Sequence, residues 1–301
     1  EVVNAVYGFT TMLLKVLEDL NPTHIAMSFD VRGKTFRDEM YEEYKANREE
    51  RDQELYDQIP ISEKVAQAFD IPVYKKEGYE ADDIIGTVAK HIDDLDGEDT
   101  EVIIVTGDKD ILQLVDDRVK VALTKKGITN MEMYDIEAVE DEFGFGPETV
   151  VDYKALRGDS SDNIPGVSGI GDKRAKNLLD KVGDVDEIYE QLQDENSILY
   201  EEFTDHIINK LKEGKDDVDL SRKLAKIKTD VEDLDIKLEN CEAHEFDHKK
   251  IKDLFTRLEF FSLLKRIPGV ERDPGAKRRE KLEQLKDIGT VESGEEIKEL
   301  K

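Results

Sequence analysis

Cysteine is almost missing from this sequence. Cys241 stands alone, so no internal disulfide framework can form, and a reducing, cytoplasmic setting is the expectation. No stretch approaches the roughly 18 consecutive apolar residues that a membrane-crossing helix needs, and Glu1-Val2-Val3 is not the start of a signal peptide. No membrane association is therefore expected. Histidine is scarce too: His24, His91, His206, His244 and His248 show no metal-ligand pairing. His244 and His248 are four residues apart but lack a third ligand, which argues against a zinc site. Positive charge is the minority, 44 Lys and Arg against 73 Asp and Glu, for a net charge of -29. So acidic a chain at first argues against a polyanionic partner, yet phosphate binding depends on local charge.

What is present is a globular sequence. Its 38% of apolar residues can build a core, and its 301 residues admit one large domain or two ordinary ones. Apolar residues at three- and four-residue steps from Val6 to Leu20 predict a helix with one buried face. The runs His24–Phe29 and Glu101–Thr106 read as buried strands, ending at Asp30 and just before Asp108. Helical patterns at Ile61–Phe69 and Ala81–His91, a short strand near Val73, and Val119–Leu123 complete an α/β domain with a parallel sheet over residues 1–134. Lys125-Lys126-Gly127 reads as a turn. From 135 to 267 the pattern is helical: Ile136–Phe143, Pro147–Leu156, Asp172–Lys181, Val185–Leu192, Tyr200–Leu211, Asp219–Ile227 and Asp247–Leu258, with a short strand expected at Leu234–Leu238. Residues 268–301 are polar, charged and punctuated by Pro-Gly pairs, and read as a linker to a further domain.

Acids gather beside small residues in four places: Asp30; Glu80, Asp82 and Asp83; Asp108 and Asp110; Asp159 and Asp162. Each taken singly could be a helix cap or a turn. Glu80 and Asp83, at i and i+3, share one helix face. In an open parallel sheet, ligands sit beyond the carboxyl ends of the strands, where Asp30, Asp108 and Asp110 fall. Crowded carboxylates repel unless a cation joins them. All-oxygen donors without His or Cys select Mg2+, with Mn2+ as a substitute, over Zn2+. Two such ions would hold a phosphodiester and activate water for its hydrolysis.

At these residues the sequence resembles the 5′-nuclease family of bacterial DNA polymerase I, related to flap endonucleases and built on a PIN-like fold. The resemblance runs from about Val2 to Ile267. It is carried by Ala5–Phe9, Phe29-Asp30, Phe36-Arg37, Tyr44–Arg48, Gly78–Asp83, Thr106–Asp110, Gly158–Val167 and Leu258–Phe260. It implies a structure-specific 5′→3′ exonuclease and flap endonuclease of DNA replication and repair. Asp30, Glu80, Asp82, Asp83, Asp108, Asp110, Asp159 and Asp162 would then surround two metals. The family's domain opens with a further strand ending in a metal-binding Asp-Gly, which does not precede Glu1 here, so weakened activity of this chain is an expectation.

Ile164–Ala175 reads as a glycine-containing hairpin entering a helix. It resembles the family's helix-hairpin-helix element, with Gly169 and Gly171 letting backbone approach a phosphate. Lys173, Arg174 and Lys176 supply charge, and a K+ ion at the hairpin is implied. A second basic stretch holds Arg32, Lys34, Arg37, Lys45, Arg48 and Arg51 among Phe36, Tyr41 and Tyr44. Interleaved Glu residues leave a solvated charged helix open as its reading. The resemblance makes it an arch for a single-stranded 5′ flap, with Arg37 and Tyr44 contacting DNA and Lys45 and Arg48 stabilising the scissile phosphate. The expected partner is DNA with a 5′ flap or 5′ end, an RNA primer included, bound by a monomer covalently joined to polymerase domains. Rival readings are a PIN-type RNA nuclease, a non-catalytic DNA-binding fragment, and an Asp-x-Asp phosphatase through Asp108 and Asp110.

Overall fold

A computed structural model describes residues 3–48, 53–95, 100–124 and 131–269. The first helix, α1 (Asn4–Leu20), buries Val6, Leu13, Leu14 and Leu17, each worth roughly 1.5–3 kcal/mol when removed from water. No residue beside it caps its start. Instead the Gln58 side chain reaches across, its Oε1 accepting from the backbone N–H of Ala5 at 2.8 Å and of Val6 at 3.3 Å. Strand β1 (Met27–Ser28) follows, then the short helices α2 (Phe36–Met40) and α3 (Gln53–Tyr56), α4 (Ile59–Ala68), strand β2 (Val73–Tyr74) and α5 (Ala81–Lys90). Strands β3 (Val102–Thr106), β4 (Val119–Thr124) and β5 (Met131–Tyr134) complete the α/β part.

The expected parallel pairing is present but divided between two sheets. β1 lies parallel to β2 with Met27 opposite Val73, and β3 lies parallel to β4 with Val102 opposite Val119. β5 adds to β4 antiparallel. The run at His24–Phe29 is longer than its paired strand, because only Met27 and Ser28 find a partner in register. The turn expected at Lys125–Gly127 lies outside the described residues.

The helical part comprises α6 (Ile136–Phe143), α7 (Val150–Arg157), α8 (Asp172–Lys181), α9 (Val185–Gln191), α10 (Ile198–Glu202), α11 (Asp205–Glu213) and α12 (Lys215–Ala225). Its core is formed by Leu156, Leu178, Ile188, Leu199, Leu211 and Val218, none more than 1% exposed. Two expectations change here. The segment read as one helix, Tyr200–Leu211, is two, broken at Phe203 and Thr204, both extended, where Thr204 starts the next helix. Leu234–Lys237 are irregular rather than a strand, and Leu238 opens a short 3-10 turn, since the alternating apolar side chains find no neighbouring strand to pair with among the described residues.

Packing groups the chain into two units, Glu1–Asp247 and His248–Lys301. The described portion of the second holds α13 (His248–Arg257), with Ile251 and Phe255 fully buried and the Phe255 ring edge-on to Phe260 at 6.1 Å. No helix among the described residues is long and apolar enough to cross a membrane.

Candidate active site

Four chain segments deliver the acids. Asp30 follows β1 and fixes the start of α5 by accepting from the Ala81 N–H at 2.8 Å. Asp108 ends the segment after β3, and its Oδ1 accepts from Asp110 N at 2.9 Å, tying the two acids into one turn. Asp159 and Asp162 lie in a loop after α7 that is closed by paired backbone hydrogen bonds between Asp159 and Ile164, at 2.8 and 2.9 Å. That loop depends on glycine. Gly166 has φ +61, and a Cβ there would lie 2.1 Å from the Gly158 nitrogen, closer than any side chain permits.

The field within the cluster is strong. Burial, followed by the charges of Asp108, Glu80, Asp30 and Asp110, pushes Asp82 up to about 7. Burial and the charges of Asp108 and Asp159 push Asp110 up to about 6, against the opposing charge of Lys154. Asp159 goes the other way. Burial alone would raise it, but hydrogen bonds from Lys154 and Ser161 hold it at about 2. Among the described residues no three of these acids meet as a ready set of metal ligands. The chain's own cations hold five of them: Lys45 on Glu80, Arg48 on Asp162, Arg37 on Asp83, and Lys154 on both Asp110 and Asp159. The donor chemistry nonetheless fits a hard divalent cation, being all oxygen, with no His or Cys in the set.

The basic segment before residue 49 is fastened to the 159–164 loop. Lys45 N donates to Asp162 O at 2.9 Å, Asn47 to Ser160 O at 2.5 Å, Arg48 Nε to Ser161 O at 3.2 Å, and Asn163 to Glu43 O at 2.6 Å. Lys45 itself has φ +56, uncommon for a residue with a side chain. Its ammonium is 3.7 Å from Asp162 as well as bonded to Glu80. Lys45 and Arg48 therefore bracket the acid cluster.

Three expected site residues are placed elsewhere. Asp83 is 0% exposed, and both its oxygens bind the Arg37 guanidinium at 2.8 Å. It caps α5 by accepting from Glu80 N at 3.0 Å. Both its oxygens are therefore occupied within the protein, by Arg37 and by backbone N–H groups. Arg37, expected on DNA, is 2% exposed and also donates to the carbonyls of Leu224 and Lys226, so no phosphate can reach it. Tyr44, expected to stack on a base, is 5% exposed. Its hydroxyl donates to Glu80 and Asp162, both at 3.3 Å, and burial with those charges raises its pKa. Sequence reasoning missed Lys154, a buried lysine on α7. The one available signal was its position, a lone charge inside the apolar run Tyr153–Leu156.

The hairpin residues gather at the start of α8. Gly169 has φ +87 with open space where a Cβ would point, and Gly171 precedes the first helical turn. Arg174 donates to Gly169 O at 2.5 Å, while Lys176 lies over the rings of Phe143 and Tyr153, 5.4 and 5.8 Å from their centres. Lys173 is exposed.

Two small sheets with acids beyond the ends of β1 and β3, followed by a helical part, place the chain in a resolvase-like α/β class with a second helical domain. The family model described as 5′-3′ exonuclease, N-terminal resolvase-like domain matches residues 1–144, and that of the 5′-3′ exonuclease C-terminal SAM fold matches residues 145–249. The chain belongs to the 5′-3′ exonuclease family. It is 41% identical to DNA polymerase I of Caldicellulosiruptor bescii over 88% of its own length and 30% of that protein, and 41% identical to DNA polymerase I of Bacillus subtilis over 88% and 29%. It thus spans about three tenths of these curated relatives. Among solved structures it shares its fold with a bacteriophage T5 5′-exonuclease bound to zinc (TM-score 0.59, 22% identity, 83% of this chain and 90% of that one). The catalytic core of Rad2 in complex with DNA substrate is a second such neighbour (TM-score 0.53, 16% identity, 85% and 79%).

Proposed function

We propose that this chain is the 5′-nuclease part of a DNA polymerase I, a structure-specific 5′→3′ exonuclease and flap endonuclease serving replication and repair in the cytoplasm. What supports this reading is the field at Asp82: burial first, then the charges of Asp108, Glu80, Asp30 and Asp110, supplied by three chain segments, push its carboxyl up to about 7. Asp159 and Asp162 flank them, and these seven acids would hold two Mg2+ ions, or Mn2+ in their place. Bound there, the ions would supply an activated water and charge neutralisation for phosphodiester hydrolysis.

The chain's own residues do the rest. Lys45 and Arg48, released from Glu80 and Asp162, would neutralise the scissile phosphate. The Gly169–Gly171 turn and Lys173 would hold the duplex behind the cut in helix-hairpin-helix fashion, and the hairpin's backbone carbonyls would be the donors for a K+ ion. These contacts read backbone shape rather than sequence. We place the functional division near residue 134, with nuclease chemistry before it and duplex binding after it. The native substrate on this reading is DNA with a 5′ flap or 5′ end, RNA primers included, and polymerase domains are the covalent partner.

The test is cleavage of an end-labelled 5′-flap duplex by the native gene product, with Mg2+ and with EDTA, beside an Asp108→Ala variant. Magnesium-dependent cutting near the flap junction, lost in the variant while duplex binding survives, is the expected result. Binding without cleavage under every divalent ion tried would leave a DNA-binding module. Cleavage of single-stranded RNA but not of the flap would move the chain to the RNA nucleases.

A further inference from the structure

Lys154 lies on α7 between two flanks of the acid cluster. Its ammonium donates to Asp159 Oδ2 at 2.6 Å and also to Asp110 Oδ1. It thereby joins the turn after β3 to the loop after α7. Lysine is seldom so enclosed without a partner: Lys154 is 8% exposed, and its neighbours Tyr153, Ala155 and Leu156 are 4% exposed or less. The two carboxylates supply the partners that so enclosed an ammonium needs. Lys154 is buried on α7 and holds Asp110 and Asp159, whereas Lys45 and Arg48 hold Glu80 and Asp162.

We infer that Lys154 is a positioning residue that serves as an internal counter-cation: it holds Asp110 and Asp159 together in the metal-free protein and competes with a divalent ion for their oxygens. This rests on reading the cluster as a metal site. The physical basis is exchange of like for like. An ammonium is a compact point charge with three donors, able to satisfy two carboxylates but not to neutralise four. A divalent cation brings twice the charge and takes six or more oxygens. An ion that recruits the Asp110 and Asp159 oxygens held by Lys154 must displace the ammonium from them, so the lysine weakens metal binding there while it offsets the repulsion between the two carboxylates. The pair at Lys45 and Glu80 does not do the same work, because Lys45 is more exposed, with a quarter of its side chain open to water.

The experiment compares native protein with Lys154→Met, which keeps the stem and removes the charge, and Lys154→Arg, which keeps the charge. Melting temperature is read in EDTA and in saturating Mn2+, and Mn2+ affinity is read by calorimetry or electron paramagnetic resonance. Lys154→Met is expected to melt lower than native protein in EDTA, to recover more on Mn2+ addition, and to bind Mn2+ at least about tenfold more tightly. Lys154→Arg should stay near native values in all three. Equal losses of melting temperature with and without Mn2+, at unchanged or weaker affinity, would make Lys154 a packing residue and overturn the inference. If Lys154→Met does not fold, Lys154→Gln serves the same comparison, hydrogen bonding without charge. Native protein that neither binds Mn2+ nor gains stability from it would fail the metal reading itself, a result distinct from native binding unaltered in the variants.

Discussion

Arg37 and Asp83 meet as a two-pronged ion pair, Nη1 to Oδ2 and Nη2 to Oδ1 both at 2.8 Å, where the arginine is 2% exposed and the aspartate 0%. The pair is also saturated with backbone. Asp83 accepts from Glu80 N and from Lys228 N at 2.9 Å, and Arg37 donates to Leu224 O and Lys226 O, both at 2.9 Å. Segments from α2, the start of α5 and the chain after α12 are thereby pinned at one point, directly behind Glu80 and Asp82.

Breaking one half of such a pair leaves a buried charge alone, which costs about 3–5 kcal/mol. Asp83→Ala and Arg37→Ala should each lower stability by that order in urea titration, while Asp83→Asn keeps part of the hydrogen bonding and loses less. Mn2+ affinity, measured on whichever variant stays folded, should change little. Lost metal binding at native stability would return Asp83 to the metal.

The metal-free protein should lose stability as pH rises from about 4 to 7. Asp82, at about 7, and Asp110, at about 6, both lie above their unfolded values. Their favourable contribution is complete below the unfolded pKa and disappears as pH climbs through the folded one, a few kcal/mol at most for Asp82. Asp159, held at about 2, has the opposite sign: its contribution is present above the unfolded pKa and is lost as pH falls toward 2. Melting curves in EDTA from pH 4 to 8 check this. Asp82→Asn should flatten the slope, and an unchanged slope would show that Asp82 is not the group responsible.

Lys45 and Arg48 should matter to the chemical step more than to binding. Removing either cation from the bracket around Glu80 and Asp162 should slow single-turnover flap cleavage by roughly a hundred- to a thousandfold. The dissociation constant for the flap duplex should move far less. An effect confined to binding would place both residues on the distant duplex.

Two glycines should respond oppositely to alanine. At Gly166 a Cβ collides with the Gly158 backbone, so Gly166→Ala should unfold the 158–166 loop and cost several kcal/mol. At Gly169 the space is open and only the φ of +87 resists, about 1–2 kcal/mol. Gly169→Ala should therefore remain folded and lose duplex affinity. Lys173→Ala should lessen the salt dependence of duplex binding by about one unit of log-log slope, seen by fluorescence anisotropy at several salt concentrations.

The division between what the chain spells out and what folding decides falls along identifiable lines. Helices α1, α5, α6 and α8 were legible because the spacing of their apolar residues is local. The acid groups were legible because each lies in a short segment of small and acidic residues at a strand or helix end. The break between α10 and α11 and the irregular run Leu234–Lys237 were not, since both depend on which distant element offers a partner.

Within the site, sequence alone determined which residue types assemble: oxygen donors, a glycine turn and a cationic segment, and so the class of chemistry. The three-dimensional fold decided which of those residues face the cluster. It buried Arg37, Asp83 and Tyr44, which look like site residues in a row of letters, and brought Lys154 to Asp110, 44 positions away in sequence. The physical reason is that ion pairing and desolvation depend on separations of a few ångströms and on access to water. Neither is written in spacing along the chain.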